Sequence, residues 1–297
     1  MKIIATSDWH LCTVKPICRT DADWIKTQQE QLDQLGLVAA LHRADVVVAG
    51  DVFDTPIVNP AASNLVHKFV KELPTHISFV IGNHDISYHS MSNYQNSSLA
   101  GVWYGNTKPI SKIALLHYGT TTIDGDQDAD ILALHTFAVP DEQHRVPNRD
   151  CVTAQELVDK YPQYRTIIIG DNHQHWIRRI GDHLVVNCGT LIQRTAAEAK
   201  AQCGFYIINT DTLTAEYHDL SDSGAGCIDL SYLENIKERE ENKEAYANLL
   251  SELQNGIENK YDFISTLSEY VETNRTVIGE GVYNTLQSTI EYIKGEE

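Results

Sequence analysis

An α/β fold is expected from this sequence, and two observations carry that expectation. Short β-branched runs alternate with helix-patterned stretches over roughly the first 220 residues, and the runs are apolar at consecutive positions rather than alternate ones. A continuous apolar strand of four or five residues is what a sheet covered on both faces requires. At 297 residues with 42% hydrophobic side chains, the chain is long enough to bury such a core without covalent staples.

In chain order the strand-like runs are Ile3-Ile4-Ala5, Val46 to Ala49, Ile77 to Ile81, Ile113 to Leu116, Ile131 to Leu134 and Ile167 to Ile169. Leu184 to Val186, Phe205 to Ile208 and Leu213 to His218 follow, the last two joined by Asn209-Thr210-Asp211-Thr212 as in a hairpin. A helix is expected from about Asp21 to His42, with Thr20 as cap and Asp23 in its first turn, and a second from about Pro60 to Leu73. The turn-rich Asp222-Ser223-Gly224-Ala225-Gly226 sets a boundary between residues 1–222 and an acidic helical region, 223–297.

Charge and cysteine usage narrow the function classes. With 41 acidic against 23 basic residues the formal charge is −18, which argues against a broad basic face that coats DNA by itself. Residues 221–297 hold 16 acidic and 6 basic residues, so about ten of those negative charges sit in the last quarter. Six cysteines without a C-x-x-C pair form neither a zinc-finger spacing nor a disulfide framework and read as reduced thiols. The amino terminus lacks a signal-peptide pattern, and no apolar stretch nears the roughly 20 residues of a spanning helix. A protein of the cytoplasm, or of the host cytoplasm if phage-encoded, without a membrane partner is the expectation.

The chemistry lies at the ends of five strands. The first run leads into Asp8-Trp9-His10, the second into Gly50-Asp51 with Asp54 beyond, and the third into Gly82-Asn83-His84-Asp85. The run 131–134 ends in His135, and 167–169 ends in Gly170-Asp171-Asn172-His173. In α/β sheets ligands bind beyond the carboxyl ends of strands, so five such ends can converge on one point. Carboxylate, imidazole and amide oxygen together suit divalent cations. Taken singly, each motif reads as an ordinary turn or a hydrogen-bonded core histidine; five chance turns would not all present metal-binding side chains.

This order of motifs resembles the calcineurin-like metallophosphoesterase superfamily, most specifically through Gly82-Asn83-His84-Asp85. Within it, Ser7-Asp8-Trp9-His10-Leu11 with Arg19-Thr20-Asp21 is similar to DNA-repair nuclease subunits of the SbcD type, including phage relatives. The resemblance implies a four-layer αββα sandwich and two divalent ions, Mn²⁺ or Mg²⁺. Asp8, His10, Asp51 and His173 would hold the first ion, and Asp51, Asn83, His135 and Asp171 the second. His84 falls at the family's catalytic histidine, with Asp85 as its orienting neighbour. Most relatives carry Gly-His-x-His where this chain has Gly170-Asp171-Asn172-His173, so a register through His173-Gln174-His175 stays open.

The implied activity is a phosphodiesterase, most specifically a DNA exo- or endonuclease, in which a metal-bridging hydroxide attacks phosphorus. A nucleotide or small-phosphoester hydrolase and a non-catalytic scaffold are the competing readings. Arg19, Arg178 and Arg179 are candidate substrate contacts, and Tyr88, His89, Tyr94, Trp103 and Tyr104 could stack on bases or pack a loop. The implied partners are DNA and an SMC-like ATPase. Leu233, Ile236, Tyr246, Leu249, Leu250, Leu253 and Ile257 recur at helical spacing and could dock that ATPase or cap the same chain. An acidic exterior would leave duplex binding to a basic partner or to a homodimer.

Overall fold

Two sheets are built from the apolar runs, and their alternation explains why those runs are continuous. The computed structural model describes residues 1–106, 110–126, 128–220, 228–229, 231 and 260–295. The strands are β1 (Lys2–Thr6), β2 (Asp45–Val48), β3 (Ile77–Phe79), β4 (Ile113–Leu116), β5 (Asp124–Gly125), β6 (Ile131–His135) and β7 (Ala138–Val139). They continue with β8 (Val152–Thr153), β9 (Thr166–Gly170), β10 (Trp176–Ile180), β11 (His183–Asn187), β12 (Gly204–Asn209) and β13 (Thr214–Asp219). One sheet runs β13-β12-β1-β2-β3 and the other β10-β11-β9-β6-β4-β5, with β7 and β8 forming a separate small pair. Strands β1, β2 and β3 are mutually parallel, as are β4, β6, β9 and β11. The expected hairpin is the antiparallel pair β12 and β13.

The helices of this region are α1 (Trp24–His42), α2 (Pro60–Glu72), α3 (Ser98–Asn106) and α4 (Ala154–Lys160). Alternate residues of each central strand point to different cores. Ile3, Ala5, Val47, Ala133, Ile168 and Val186 meet between the sheets. Ile4, Val46 and Val48 face Leu32 and Leu35 of α1 and Val66 and Phe69 of α2. Leu132, Leu134, Ile167 and Ile169 face Leu157 and Val158 of α4. The result is a helix–sheet–sheet–helix stack. Burial of each such aliphatic side chain contributes about 1.5–3 kcal/mol, so both faces of a strand such as β1 favour the fold.

The first helix starts later than the sequence suggests. Asp23, not Thr20, is the cap: its extended backbone lets the carboxylate accept the Lys26 N–H at 3.0 Å. Asp21 lies outside the helix because its carboxylate accepts from Nε and Nη2 of the Arg19 guanidinium, each at 2.7 Å. Strand β10 lies outside the expected runs; three of its five residues are exposed, so Trp176–Ile180 lacks the apolar run of a central strand.

The chain forms two compact units, Met1–Asp229 and Leu230–Glu297. In the second, α5 (Lys260–Thr273), α6 (Arg275–Ile278) and α7 (Glu280–Gly295) bury Val271 and Ile290, and the Tyr283 hydroxyl donates to Glu272 at 2.6 Å. The boundary motif 222–226 and the apolar positions from Leu233 to Ile257 fall outside the described residues. Among the described residues no helix is long and apolar enough to cross a membrane. Cys12, Cys18, Cys188 and Cys203 are buried.

Candidate metal centre

The parallel strands of each sheet end on one edge, and their exits bring the five motifs together. The backbone leaves the strands through sharp turns: Asp8, His10, Asp51 and Asp171 have φ of 51°, 44°, 53° and 95°. Non-glycine residues enter this region at a cost of about 1–3 kcal/mol each, which surrounding structure must offset. Hydrogen bonds between the exits do so, from Asp8 N–H to the Gly50 carbonyl at 3.0 Å and from His10 N–H to the Asp51 carbonyl at 2.9 Å. Two glycines are required by close approach: a Cβ at Gly50 would collide with the His135 imidazole, and one at Gly82 with the Asp51 carboxylate.

Ligand atoms of Asp8, His10 and His173 lie within 4.8 Å of one another, as do those of Asp8, Asp51 and His135, and of His10, Asp51 and His84. In the first group the two imidazole Nε2 atoms are 3.3 Å apart, with Asp8 Oδ1 3.9 Å from His10 Nε2 and 3.8 Å from His173 Nε2. Two nitrogens bound tetrahedrally to one ion at about 2.0–2.1 Å stand about 3.3 Å apart, so this spacing fits a shared cation. In the second group His135 Nδ1 donates to the Ala49 carbonyl, 2.8 Å away, so that in the neutral ring Nε2 is left as a lone pair. That lone pair faces Asn83 Oδ1 at 2.9 Å and Asp51 Oδ2 at 3.4 Å. Acceptors facing acceptors need a cation between them, and the residues therefore fit a divalent ion. Asp51 belongs to both the second and the third group.

The electrostatics agree. Burial opposes charge on both partners, yet the His135 imidazole holds the Asp51 carboxyl well below the usual range. Against the same penalty, the Asp51 carboxylate pushes His135 up to about 10. Without metal, the proton is the cation that this pair gathers.

His84 is exposed, its Nδ1 2.9 Å from the Asp54 carbonyl and its ring edge-on to His10 at 4.7 Å. The expectation that Asp85 orients His84 is corrected. Asp85 is fully buried and accepts the backbone N–H of Phe53 at 3.1 Å, Val52 at 3.4 Å and Gly82 at 2.9 Å, tying the second strand exit to the third. Burial, with the nearby Asp51 charge, raises its carboxyl to about 7.

Asp171 lines the same cleft of about 490 Å³, but no oxygen of it joins the three close groups; Oδ1 lies 3.4 Å from Arg149 Nη2. The alternative through His175 is not brought into the centre. That ring stacks on Tyr217 at 3.8 Å, and its Nδ1 is 2.9 Å from the Tyr206 hydroxyl. Arg19 is not a substrate contact: its buried guanidinium is spent on Asp21 and on the Gln193 carbonyl at 2.9 Å. Arg178 and Arg179 do not act as a pair, because successive residues of β10 face opposite sides; Arg178 pairs with Asp141 at 2.8 Å, and neither lines the cleft. Tyr88 is an exposed loop residue, whereas Tyr94 packs against the core.

Sequence reasoning missed an outer shell. Glu198 Oε1 is 2.7 Å from His173 Nδ1, while Oε2 accepts the N–H of Arg194 at 2.7 Å and Thr195 at 3.1 Å. Burial raises the Glu198 carboxyl, but the His173 hydrogen bond outweighs it and brings the group down to about 2. The carboxylate fixes the tautomer that presents Nε2 to the first group. Arg194 also reaches Asp54 Oδ1 at 2.7 Å, and that oxygen stands 3.5 Å from His10 Nδ1. The spacing Thr195-x-x-Glu198 is a readable capping box, but its neighbour His173 is not.

Two mixed sheets with Asp/His/Asn groups gathered at the strand exits define the metallophosphoesterase class of fold. The chain belongs to the calcineurin-like phosphoesterase family, whose sequence profile matches residues 1–184. It is 38% identical over 89 residues to SbcD of the SbcCD nuclease of Escherichia coli strain K12, and matches the O157:H7 protein equally. That alignment covers 29% of this chain and only 21% of the length of these curated relatives. Among solved structures, an archaeal phosphodiesterase aligns over 74% of this chain and all of its own, at 16% identity and a TM-score of 0.42. Zinc-complexed Vps29 of Entamoeba histolytica aligns over 74% of this chain and 99% of its own, at 12% identity and a TM-score of 0.36.

Proposed function

We propose that this chain is a dinuclear-metal phosphodiesterase acting on DNA, as an exo- or endonuclease in recombination or repair, in concert with an SMC-like ATPase. The single observation that carries the metal-dependent part is the meeting of His135, Asn83 and Asp51 acceptor atoms beside the Asp8–His10–His173 group. The choice of DNA is supported by the 38% identity over 89 residues to a nuclease subunit; the ATPase follows from the resemblance carried by Asp8-Trp9-His10 with its flanks.

Asp8, His10, Asp51 and His173 would hold one ion, and Asp51, Asn83, His135 and Asp171 the other. The mixture of carboxylate and amide oxygen with imidazole favours Mn²⁺, with Mg²⁺ as substitute. Such ions supply an activated water at neutral pH and neutralise charge on the phosphoryl oxygens. The chain's own work is positioning and proton transfer. Glu198 orients His173, and the Ala49 carbonyl orients His135. The Asp54 carbonyl accepts from His84 Nδ1–H and orients the ring, so that Nε2 is the nitrogen left to hand a proton to the leaving alkoxide.

The test is a Mn²⁺ dependence measured in parallel on labelled single-stranded DNA, double-stranded DNA and a generic diester, with and without an ATPase partner. Mn²⁺-dependent cleavage of DNA is expected. Hydrolysis of the diester with both DNAs intact would favour the small-phosphoester reading, and no hydrolysis at any Mn²⁺ concentration would leave a scaffold.

A further inference from the structure

We infer that Arg149, held flat on Phe137 at the cleft mouth, is the side chain that grips a phosphate of the substrate. The inference rests on the phosphodiesterase reading and adds a residue to it. Among the described residues lining the cleft, Arg149 is the one Lys or Arg, whereas Asp51, Asp171 and Glu198 contribute carboxylates. A phosphodiester entering this cleft meets one fixed cation of the chain.

The side chain is preorganised but not spent. Its Cζ sits 3.4 Å from the centroid of the Phe137 ring, a cation–π contact that fixes the guanidinium plane. Ordering an arginine side chain costs rotamer entropy, and the Phe137 stack removes part of that cost before substrate arrives. Its side-chain partner, Asp171 Oδ1, lies 3.4 Å from Nη2, well beyond the 2.7–2.9 Å usual for a charge-assisted bond. The side chain is half exposed, at 49%, so its other N–H groups remain available. A guanidinium offers five donors in a fork that matches phosphate oxygens in pairs. Arg19 forms the contrast: its fork is closed bidentately on Asp21 at 2.7 Å and buried, so it holds the fold and leaves nothing for a ligand.

The experiment titrates inorganic phosphate into the full chain equilibrated with Mn²⁺, by calorimetry, for wild type, Arg149→Ala and Arg149→Lys. Hydrogen bonds to a charged group correspond to about a tenfold loss or more on removal, so the phosphate Kd of Arg149→Ala should rise at least about tenfold. Arg149→Lys keeps the charge without the fork and should fall between. The Mn²⁺ isotherm should be the same in all three, and KM for a diester should rise in Arg149→Ala while kcat holds. An unchanged phosphate Kd in Arg149→Ala, absence of phosphate binding in wild type, or a parallel loss of Mn²⁺ affinity would each overturn the assignment. The last would show Arg149 acting on Asp171 rather than on phosphate. If wild type binds phosphate through Arg149 yet cleaves no phosphodiester, the phosphodiesterase reading fails and the phosphate site stands; DNA cleavage with an Arg149-independent Kd is the reverse case.

Discussion

Replacing Asp85 by alanine distinguishes a carboxylate that builds the centre from one that serves catalysis. Its two oxygens accept three backbone N–H groups, at 2.9, 3.1 and 3.4 Å, in a site with no solvent exposure. A buried donor left without its acceptor costs about 1–3 kcal/mol. The 3.4 Å contact contributes least, so Asp85→Ala should cost about 3–5 kcal/mol, a large part of the roughly 5–15 kcal/mol that holds a typical domain. Asp85→Asn keeps one acceptor oxygen and should lose less. The assay is urea unfolding followed by tryptophan fluorescence, with EDTA present so that metal binding does not contribute. With m of about 3 kcal/mol/M the midpoint of the alanine variant should fall by more than about 1 M. An unchanged midpoint together with a drop in turnover would contradict this structural role, and would return Asp85 to that of orienting His84.

Three further outcomes follow from the same geometry. His84→Ala should bind Mn²⁺ as wild type does and lose on the order of 10²-fold in turnover, as removal of a general acid should; wild-type turnover at saturating Mn²⁺ would exclude that role. Glu198→Ala should weaken Mn²⁺ at one of two sites by about 10–100-fold and leave the other alone; a superimposable isotherm would show that His173 needs no brace. Asp21→Asn strands the buried Arg19 guanidinium and should cost about 3–5 kcal/mol at pH 7. Although burial raises the Asp21 carboxyl, the Arg19 fork outweighs it and holds the group below its ordinary value. A depressed folded-state pKa stabilises above the unfolded value and loses that contribution as pH falls through the folded one. The gap between wild type and Asp21→Asn should therefore narrow below about pH 4; a gap independent of pH would count against the ion pair.

Much of the architecture is legible because both faces of the central strands are buried, which writes an uninterrupted apolar run into the chain at Val46 to Ala49 or Ile167 to Ile169. The candidate site is legible for a related reason: Asp8, His10, Asp51, Asn83, His84, His135 and His173 each stand within a few residues of a strand end. Strand β10 is not legible, since an exposed edge strand such as Trp176–Ile180 carries no such run. The cap at Asp23 is ambiguous in the sequence because Thr20, Asp21 and Asp23 are all good capping residues. Only the Arg19 fork, with its third bond to a carbonyl 174 residues away, removes Asp21 from the helix.

Local pattern alone is enough for the α/β class, the family and the residues able to hold cations, because strand periodicity and strand-end chemistry are properties of short segments. What each polar side chain does is a matter of tertiary contact. The fold turns Asp85 away from His84 onto three backbone amides, closes Arg19 on Asp21, brings Glu198 to His173 across 25 residues and leaves Arg149 open on Phe137. A charged group's role is set by the partner it reaches, and in this fold most of those partners arrive from another strand exit or another loop.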